Sequence, residues 1–428
     1  MTISRLLGCC VTGLAILAVP ALKERAAAVG PIAFDIPGRA DSDPWIAASG
    51  SDVAVGWGGS VNGKADVFVA VSGDGGGTFA PPVQVNTIAG EARLGGELPP
   101  RVALSPRRGA AAPEIAVVWT SRGAKTEIKT ARSRDGGKTF SAPVALQSPA
   151  AAGDRGWPAI ALDQQARVHV IWLDHRDLAA KPAGAAPAHN PGAPHDGTAM
   201  AQKSSLYYGW TTGTAGHERR ITPGVCYCCK TALLAGANGS LYAAWRHVYP
   251  GDLRDMAFTI SRDGGQSFSP IVRVSEDHWA INGCPDDGPA MALDARNTVH
   301  IVWPTVIGGA TPQGAIFYAS TTDGRRFTPR VRIPTLGGAK PTHPQIVIDR
   351  SGRVLAAWEE TVNGRRVSAV REIRAARSAT PTFGEVVIIS PDGPAVYPVL
   401  AATDKGIVAV WTTVGDASRV ELRPVTIP

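Results

Sequence analysis

The residues Ser133-Arg134-Asp135-Gly136-Gly137-Lys138-Thr139-Phe140 stand between two short apolar stretches. The same pattern begins at Ser72, at Ser261 and, one residue shorter, at Thr321. Asp and Ser side chains accept backbone hydrogen bonds in turns, and glycine permits a positive φ. We therefore predict that each copy is a tight turn between two strands, with Phe140 and its equivalents packed inward.

These turns belong to a longer repeat, in which a strand that usually opens with proline is followed by a strand that ends in tryptophan. The repeated tryptophans are Trp57, Trp119, Trp172, Trp245, Trp303, Trp358 and Trp411. Period-two alternation, β-branched residues and intervening turns indicate short antiparallel strands, four to a repeat. Such a unit cannot bury both faces alone, so the repeats are predicted to stack around an axis as propeller blades.

The chain ends also fit this architecture. After Trp411 there is room for one further strand, over 419–427, and the segment 32–36 can supply the missing outer strand. A ring closed in this way has no exposed sheet edge. The predicted fold is all-β: a seven-bladed β-propeller of four-stranded antiparallel blades, closed by the N-terminal strand. A six-bladed sialidase-type propeller, a β-sandwich array and a β-helix are the alternatives.

The Ser-x-Asp-Gly turns resemble the Asp box, or BNR repeat, of sialidases and related propellers. The resemblance covers three near-complete copies and the shortened copy at Thr321. In that family the box is a structural turn at the end of the propeller opposite the usual site. It therefore implies a fold and not an activity.

The composition and the N-terminus suggest an exported globular protein. The 428 residues carry a net charge of +7, and the basic residues are scattered, which argues against a nucleic-acid partner. Arg5, an apolar run over 6–22 and the small residues that follow have the order of a secretory signal. We predict a signal peptide over 1–28 and an Asp-box propeller over 29–428. The mature protein would be periplasmic or secreted, without a transmembrane anchor.

In each repeat, one residue directly precedes the proline position. A propeller would place these residues around one end of its central channel, which we call the mouth. They are Asp43, Pro99, Trp157, Cys228, Gly288, His343 and Tyr397. Polar, aromatic and titratable groups concentrate here, which makes the mouth the candidate site for a small-molecule, glycan or protein ligand.

All four cysteines left after signal cleavage fall near this mouth, at Cys226, Cys228, Cys229 and Cys284. One interpretation is disulfide bonding, with Cys284 paired to one of the other three. The other is a soft-metal site, because thiolates suit copper(I) or zinc, with His247, His343, His278 or Met256 as further ligands. If the segment is extended, Cys226 and Cys228 face one way and Cys229 the other.

The resemblance to sialidases implies a second function, the hydrolysis of anionic sugars. Those enzymes use a Tyr nucleophile, a Glu partner, an Asp acid and three Arg that clamp the substrate carboxylate. The candidate catalytic residues that this resemblance implies are Tyr397, Glu359, Asp174, Arg176 and Arg246. The family's early Arg-Ile-Pro segment is missing, and Tyr397 is equally compatible with lining a channel. Ligand binding at the Cys-rich mouth is thus the predicted function, and a sialidase-like glycoside hydrolase is the alternative.

Overall fold

The structure is a computed structural model that describes residues 30–428, apart from 107–108, 110–111, 179–196, 214–215, 309–310, 375–379, 391–392 and 416. The predicted signal peptide, 1–28, lies outside the described residues. Residues Ile32–Pro428 form one compact unit. Across the described part of the chain, no helix has the length and apolar character needed to cross a membrane.

The described elements are almost all strands. In the first half of the chain they are β1 (Ile32–Phe34), β2 (Ala40–Ser49), β3 (Asp52–Val61), β4 (Lys64–Ser72), β5 (Val83–Gln84), β6 (Ala92–Arg93), β7 (Arg101–Ser105), β8 (Glu114–Ser121), β9 (Glu127–Ser133), β10 (Val144–Ala145), β11 (Arg155–Leu162), β12 (Val168–Asp174), the helix α1 (Gly197–Lys203), β13 (Ser205–Thr211) and β14 (His217–Pro223). In the second half they are β15 (Ala232–Ala235), β16 (Leu241–Arg246), β17 (Met256–Ser261), β18 (Val272–Arg273), β19 (Ala290–Leu293), β20 (Val299–Ile307), β21 (Gln313–Thr321), β22 (Val331–Arg332), β23 (Ala339–Ile348), β24 (Val354–Val362), β25 (Arg365–Arg374), β26 (Thr382–Ile388), β27 (Ala395–Thr403), β28 (Gly406–Thr413) and β29 (Arg419–Val425).

Most of these strands form four-stranded antiparallel sheets, as the repeat predicts. Four such sheets use consecutive strands: β11 to β14, β15 to β18, β19 to β22 and β23 to β26. A fifth has the order β1-β29-β28-β27, in which Ile32 pairs with Leu422 and Phe34 with Val420. The two predicted end strands are therefore hydrogen-bonded to each other.

The first two repeats differ from the prediction because they share one nine-stranded sheet. The short strand β6 joins them: Ala92 pairs with Ala65 of β4 and also with Ser121 of β8. The sequence pattern showed the strands on either side but not this bridge, which is only two residues long.

The repeated tryptophans are the largest buried side chains, each at most 2% exposed. Trp57, for example, packs in one cluster with Val399, Val408 and Val410 of the sheet that contains the chain terminus. The repeated tryptophans thus fill the space between neighbouring sheets. Truncating a buried aromatic side chain to alanine typically lowers the free energy of unfolding by about 3–5 kcal/mol.

The predicted Asp-box turns are confirmed in their hydrogen bonds. In the second copy, Ser133 Oγ accepts the Gly137 amide at 2.8 Å, and Asp135 Oδ1 accepts the amides of Lys138 and Thr139, both at 3.0 Å. The copies at Ser72 and Ser261 repeat this arrangement. The phenylalanines that end the boxes pack against the hydrophobic clusters.

Candidate functional site

Four of the innermost strands bend at the same repeat position. The pairing register shifts there in β2, β11, β23 and β27. The residues at the bend are Asp43, Trp157, His343 and Tyr397, with φ values of 55°, 53°, 52° and 55°. A left-handed conformation at a non-glycine residue costs roughly 1–3 kcal/mol, and such residues cluster at functional sites. These register shifts are β-bulges, and each one changes the direction of a side chain that the sequence repeat predicts at the mouth.

His343 lies among three carboxylates. Its Nδ1 is 2.9 Å from Glu359 Oε1 and its Nε2 is 3.9 Å from Glu97 Oε1. Its backbone amide donates to both oxygens of Asp287, at 3.2 and 3.0 Å. Burial alone would lower the pKa of His343, but the Asp287 charge, the hydrogen bond to Glu359 and the Glu97 charge raise it to about 9. The imidazole is therefore a cation at neutral pH.

Glu97 forms a buried ion pair with Lys230, a residue that is 133 positions away in the sequence. Lys230 Nζ lies 3.2 Å from Glu97 Oε1, its amide donates to Oε2 at 3.0 Å, and both side chains are 3% exposed. Burial would raise the pKa of Glu97, but the charges of Lys230 and His343 lower it. Burial raises the pKa of Asp287, 3.9 Å from Lys230 Nζ, to about 6.

Glu359 connects this cluster to Tyr397. Its Oε1 accepts from Arg366 Nη2 at 2.6 Å as well as from His343, and its Oε2 accepts the Tyr397 amide. Burial would raise the pKa of Glu359, but the hydrogen bond and charge of His343, followed by the charge of Arg366, lower it. The ring centroids of His343 and Tyr397 are 4.4 Å apart.

Arg101 has unused hydrogen-bonding capacity. Its guanidinium lies 3.7 Å from the centroid of the Trp45 ring, and the residue is 3% exposed. Among the described residues, neither its Nε nor its Nη2 has a hydrogen-bond partner. Burial lowers the pKa of Arg101 to about 10, so it keeps its charge at neutral pH. A buried cation with unpaired donors is costly unless a ligand or solvent supplies an acceptor.

Several of these groups line one narrow cavity of about 10 Å³, which is room for about one water molecule. Trp45, Arg101, Lys230, His343 and Tyr397 line it, together with Gly96 and Glu97. Burial and the charges of Glu359, Glu97 and Asp43 raise the pKa of Tyr397, so its side chain is a neutral phenol at neutral pH. Burial raises the pKa of Asp43 to about 6.

Asp174 and Arg176, two of the predicted catalytic residues, belong to a different cluster. Asp174 accepts from Arg176 Nε at 2.7 Å and from Trp172 Nε1 at 3.0 Å, and Arg176 Nη2 lies 2.8 Å from Glu218. Burial would raise the pKa of Asp174, but the hydrogen bonds from Arg176 and Trp172 lower it. These partners lie on or next to β12 and β14, within a single sheet.

Asp174 and His247 also share a structural position two residues after a repeated tryptophan. There each accepts a hydrogen bond from the buried indole: Trp172 donates to Asp174, and Trp245 donates to His247 Nδ1 at 3.3 Å. Glu360 and Thr413 accept the same hydrogen bond from the indoles of Trp358 and Trp411. Burial lowers the pKa of His247 to about 4.

Arg246, another predicted catalytic residue, is 1% exposed and donates to backbone carbonyls. Its nitrogens bind the carbonyl oxygens of Asp287, Arg254 and Pro304 at 2.8–3.0 Å. The arginine therefore joins the segments that contain Arg254 and Asp287 to strand β20.

The four cysteines do converge, and one disulfide, Cys228–Cys284, joins two of them. The segment from Cys226 to Cys229 is a turn and not the extended strand considered from the sequence. The turn brings residues three apart together, so Cys226 and Cys229 do not face opposite ways: their Sγ atoms are 3.5 Å apart. Both are buried free thiols.

Cys226 has a polarised environment. Its sulfur lies 3.6 Å from Nη1 of Arg254, a side chain with no exposure to solvent. The hydrogen bond from Cys229 and the charges of Arg254 and Arg246 outweigh burial and lower the pKa of Cys226 to about 7. Burial raises the pKa of Cys229 well above its ordinary value.

Three groups of described residues have ligand atoms spaced closely enough for a metal ion, and one of them is Cys228, Cys284 and Asp286. The sulfurs of Cys226, Cys228 and Cys229 lie within 4.8 Å of one another, and so do ligand atoms of Glu97, Asp287 and His343. His343 thus groups with carboxylates and not with the cysteines.

Sequence reasoning missed Glu97, Arg101, Lys230 and Arg366. Arg101 and Lys230 each stand one residue after the repeat's proline position, where the other repeats mostly carry an apolar or small residue. These two charged residues at a usually apolar position could have identified Arg101 and Lys230 as candidate site residues. Glu97 lies in a glycine-rich loop, and no local pattern connects it to Lys230.

Comparisons with known proteins give structural matches only. No protein-family model matches the sequence, and no curated protein matches it. Among solved structures, an α-L-arabinanase of Penicillium chrysogenum complexed with arabinobiose is 13% identical, with a TM-score of 0.49, over 93% of this chain and 99% of that one. The intramolecular trans-sialidase of Ruminococcus gnavus is 11% identical, with a TM-score of 0.47, over 76% and 94%. A protein of unknown function from Dyadobacter fermentans is 13% identical, with a TM-score of 0.48, over 93% and 99%.

The chain's own features define its fold. Asp-box turns recur with the same hydrogen bonds, and the described strands form successive antiparallel sheets packed through a column of tryptophans. The protein has the fold of a sialidase-like β-propeller.

Proposed function

We propose that this protein is an exported seven-bladed propeller that binds an anionic sugar at the narrow cavity beside Arg101, which widens to admit it, and hydrolyses its glycosidic bond. Contacts between the innermost strands support the blade number, since β2, β7, β11, β15, β19, β23 and β27 each touch the next and β27 touches β2. The pairing of β1 with β29 supports closure by the N-terminal strand. Export rests on the N-terminal sequence pattern.

The observation that carries the proposal is the unpaired guanidinium of Arg101. Its Nε and Nη2 atoms, which carry three N–H groups, lack a partner among the described residues, although the side chain is almost completely buried against Trp45. A sugar carboxylate supplies two acceptor oxygens in the geometry that a guanidinium prefers. The aromatic side chains of Trp45 and Tyr397 also line the cavity and give it an apolar wall.

The titratable groups around the cavity suggest how hydrolysis would proceed. Tyr397 Oη would attack the anomeric carbon while its proton passes to Glu97 or Glu359. The breaking glycosidic bond would leave its electron pair on the leaving oxygen, which takes a proton from Asp43. The raised pKa of Asp43, about 6, suits a general acid. Water would then attack the anomeric carbon and break the tyrosyl–sugar bond, giving its proton to Asp43, while the glutamate returns the phenol proton to Tyr397.

Fluorogenic substrates test this proposal. We expect the purified protein to release 4-methylumbelliferone from an α-sialoside or a β-glucuronide more efficiently than from a neutral α-arabinofuranoside. Arg101→Met should raise KM for the acidic substrate, whereas Arg332→Met, on an exposed strand residue, should not. Tyr397→Phe should reduce kcat by at least about 100-fold, because the nucleophile is lost. Folded protein without turnover of any acidic glycoside, or with turnover unchanged in Tyr397→Phe, would refute hydrolysis by this route.

A second candidate function is soft-metal binding by Cys226, Cys228 and Cys229. The closeness of their sulfurs supports it, and three thiolates suit copper(I) or zinc. Cys228 can take part only after its disulfide is reduced. Elemental analysis of protein from its native compartment, beside a titration of fully reduced protein with copper(I), tests this function. Four oxidised cysteines with no bound metal would eliminate it.

A further inference from the structure

The sulfurs of the cysteine cluster are arranged in a series. Cys226 Sγ lies 3.5 Å from Cys229 Sγ on one side and 4.0 Å from Cys228 Sγ on the other, and Cys228 is bonded to Cys284. A free thiol therefore sits at close range to a disulfide sulfur, with a second free thiol directly behind it.

We propose that these four cysteines form a thiol–disulfide exchange relay, in which the buried Cys226/Cys229 dithiol passes electrons through Cys228 to Cys284 and from there to a small disulfide outside the protein. This activity is separate from sugar hydrolysis and uses different residues.

The internal exchange balances without any added reagent. The Cys226 thiolate attacks Cys228 Sγ, a Cys226–Cys228 bond forms, and the Cys228–Cys284 bond breaks with its electron pair leaving on Cys284. Cys229 then loses its proton and attacks Cys226 Sγ, which forms Cys226–Cys229 and releases Cys228 as a thiolate. One disulfide and two thiols are present before and after.

Reaction with an outside disulfide, R–S–S–R, completes the relay. The freed Cys284 thiolate attacks one sulfur and releases R–S⁻. Cys228 then attacks Cys284 Sγ in the mixed disulfide and releases the second R–S⁻. The protein ends with two disulfides, the small molecule is reduced to two thiols, and water supplies the protons to the departing thiolates.

The surroundings of the sulfurs match these roles. Arg254 places a fully buried guanidinium 3.6 Å from Cys226 Sγ, and a neighbouring cation favours the thiolate that must attack. Cys226, Cys228 and Cys229 are buried, at 1%, 4% and 2% exposure, whereas Cys284 is partly exposed. The outermost sulfur is thus the one that a small disulfide can reach.

The first experiment maps disulfides in the folded full-length protein. The one-disulfide form is incubated at pH 8 with a metal chelator and with glutathione disulfide in excess, quenched with acid, alkylated and digested. Mass spectrometry should show a gain of the Cys226–Cys229 disulfide with Cys228–Cys284 retained, and about two thiols of glutathione released per chain. A wild-type protein that keeps free Cys226 and Cys229 under these conditions would overturn the relay.

Variants separate the relay from direct oxidation of the inner pair. In Cys284→Ser the outward sulfur is absent, so oxidation of Cys226 and Cys229 by glutathione disulfide should slow at least about tenfold. In Cys229→Ser the second step is blocked, and a Cys226–Cys228 disulfide should accumulate with Cys284 in a mixed disulfide with glutathione. Circular dichroism and melting temperature check folding. Equal oxidation rates in wild type and folded Cys284→Ser would contradict the relay, and neither experiment depends on sugar binding.

Discussion

The phenol ring of Tyr397 packs directly on the backbone of Gly96. A Cβ atom added to Gly96 would lie 1.7 Å from Cζ of Tyr397, far inside contact distance. The two residues are far apart in the sequence. Their contact nevertheless holds the Tyr397 ring at the edge of the cavity that Arg101 lines. The loop that contains Gly96 and Glu97 thus fixes both the ring of Tyr397 and the partner of Lys230.

This contact predicts that Gly96→Ala is destabilising. The added methyl group must displace the Tyr397 ring or the loop, which should lower the free energy of unfolding by about 1–3 kcal/mol. Gly95→Ala is the matched control, because a Cβ there meets nothing within 4 Å. Denaturant titration should show the loss for Gly96→Ala only, and Tyr397→Ala in the same chain should relieve much of it. Equal stability of the two glycine variants would show that the ring does not lie on Gly96.

The carboxylates around His343 predict a specific pH dependence. The folded-state pKa of about 9 lies above the ordinary value of 6.5, so the folded protein keeps a proton that the unfolded chain loses between these values. The stabilisation is complete below about pH 6.5 and should decline, by at most about 1.4 kcal/mol per pH unit, as the pH rises towards 9. Urea titrations at several pH values measure this slope.

His343→Gln should flatten that slope, because the titrating imidazole is gone. His247→Gln should leave it unchanged above pH 6.5, since burial lowers the pKa of His247 to about 4. If the free energy of unfolding of His343→Gln still declined between pH 6.5 and 9, the group that titrates in this range would not be His343.

The Asp-box turns predict a third effect. Ser133 is 1% exposed, and its hydroxyl both accepts the Gly137 amide and donates to Asp135. Ser133→Ala leaves that amide unpaired in a buried position and should lower the free energy of unfolding by about 1–3 kcal/mol. The exposed Ser148→Ala should change it by less than about 0.5 kcal/mol. If Ser133→Ala and Ser148→Ala were equally stable in thermal or chemical unfolding, the Asp-box hydrogen bonds would not stabilise the fold.

The sequence was most informative where structure is local and repeated. Ser133, Asp135 and Gly137 lie within five residues of one another, so their hydrogen bonds follow from turn chemistry. Trp57 and its equivalents mark one position in every repeat, which is why the repeat could be recognised in the sequence. The convergence of the four cysteines followed from the same alignment.

The sequence was least informative where distant loops meet. Glu97 and Lys230 are 133 residues apart, and no periodic pattern connects them. Asp174 and His247 looked like site residues because they are polar and follow a strand, but each accepts a hydrogen bond from a buried indole. Cys226 and Cys229 came together through a turn, where an extended segment would have separated them.

Carboxylate binding by Arg101 can be measured by titration calorimetry, as the dissociation constant of N-acetylneuraminic acid or glucuronic acid for wild type and for Arg101→Met. If Arg101 holds a sugar carboxylate, the variant should bind at least about tenfold more weakly, a loss of about 1.4 kcal/mol, while Arg332→Met binds as wild type does. Equal affinity of folded Arg101→Met and wild type for every acidic sugar, or no binding by either, would contradict the claim.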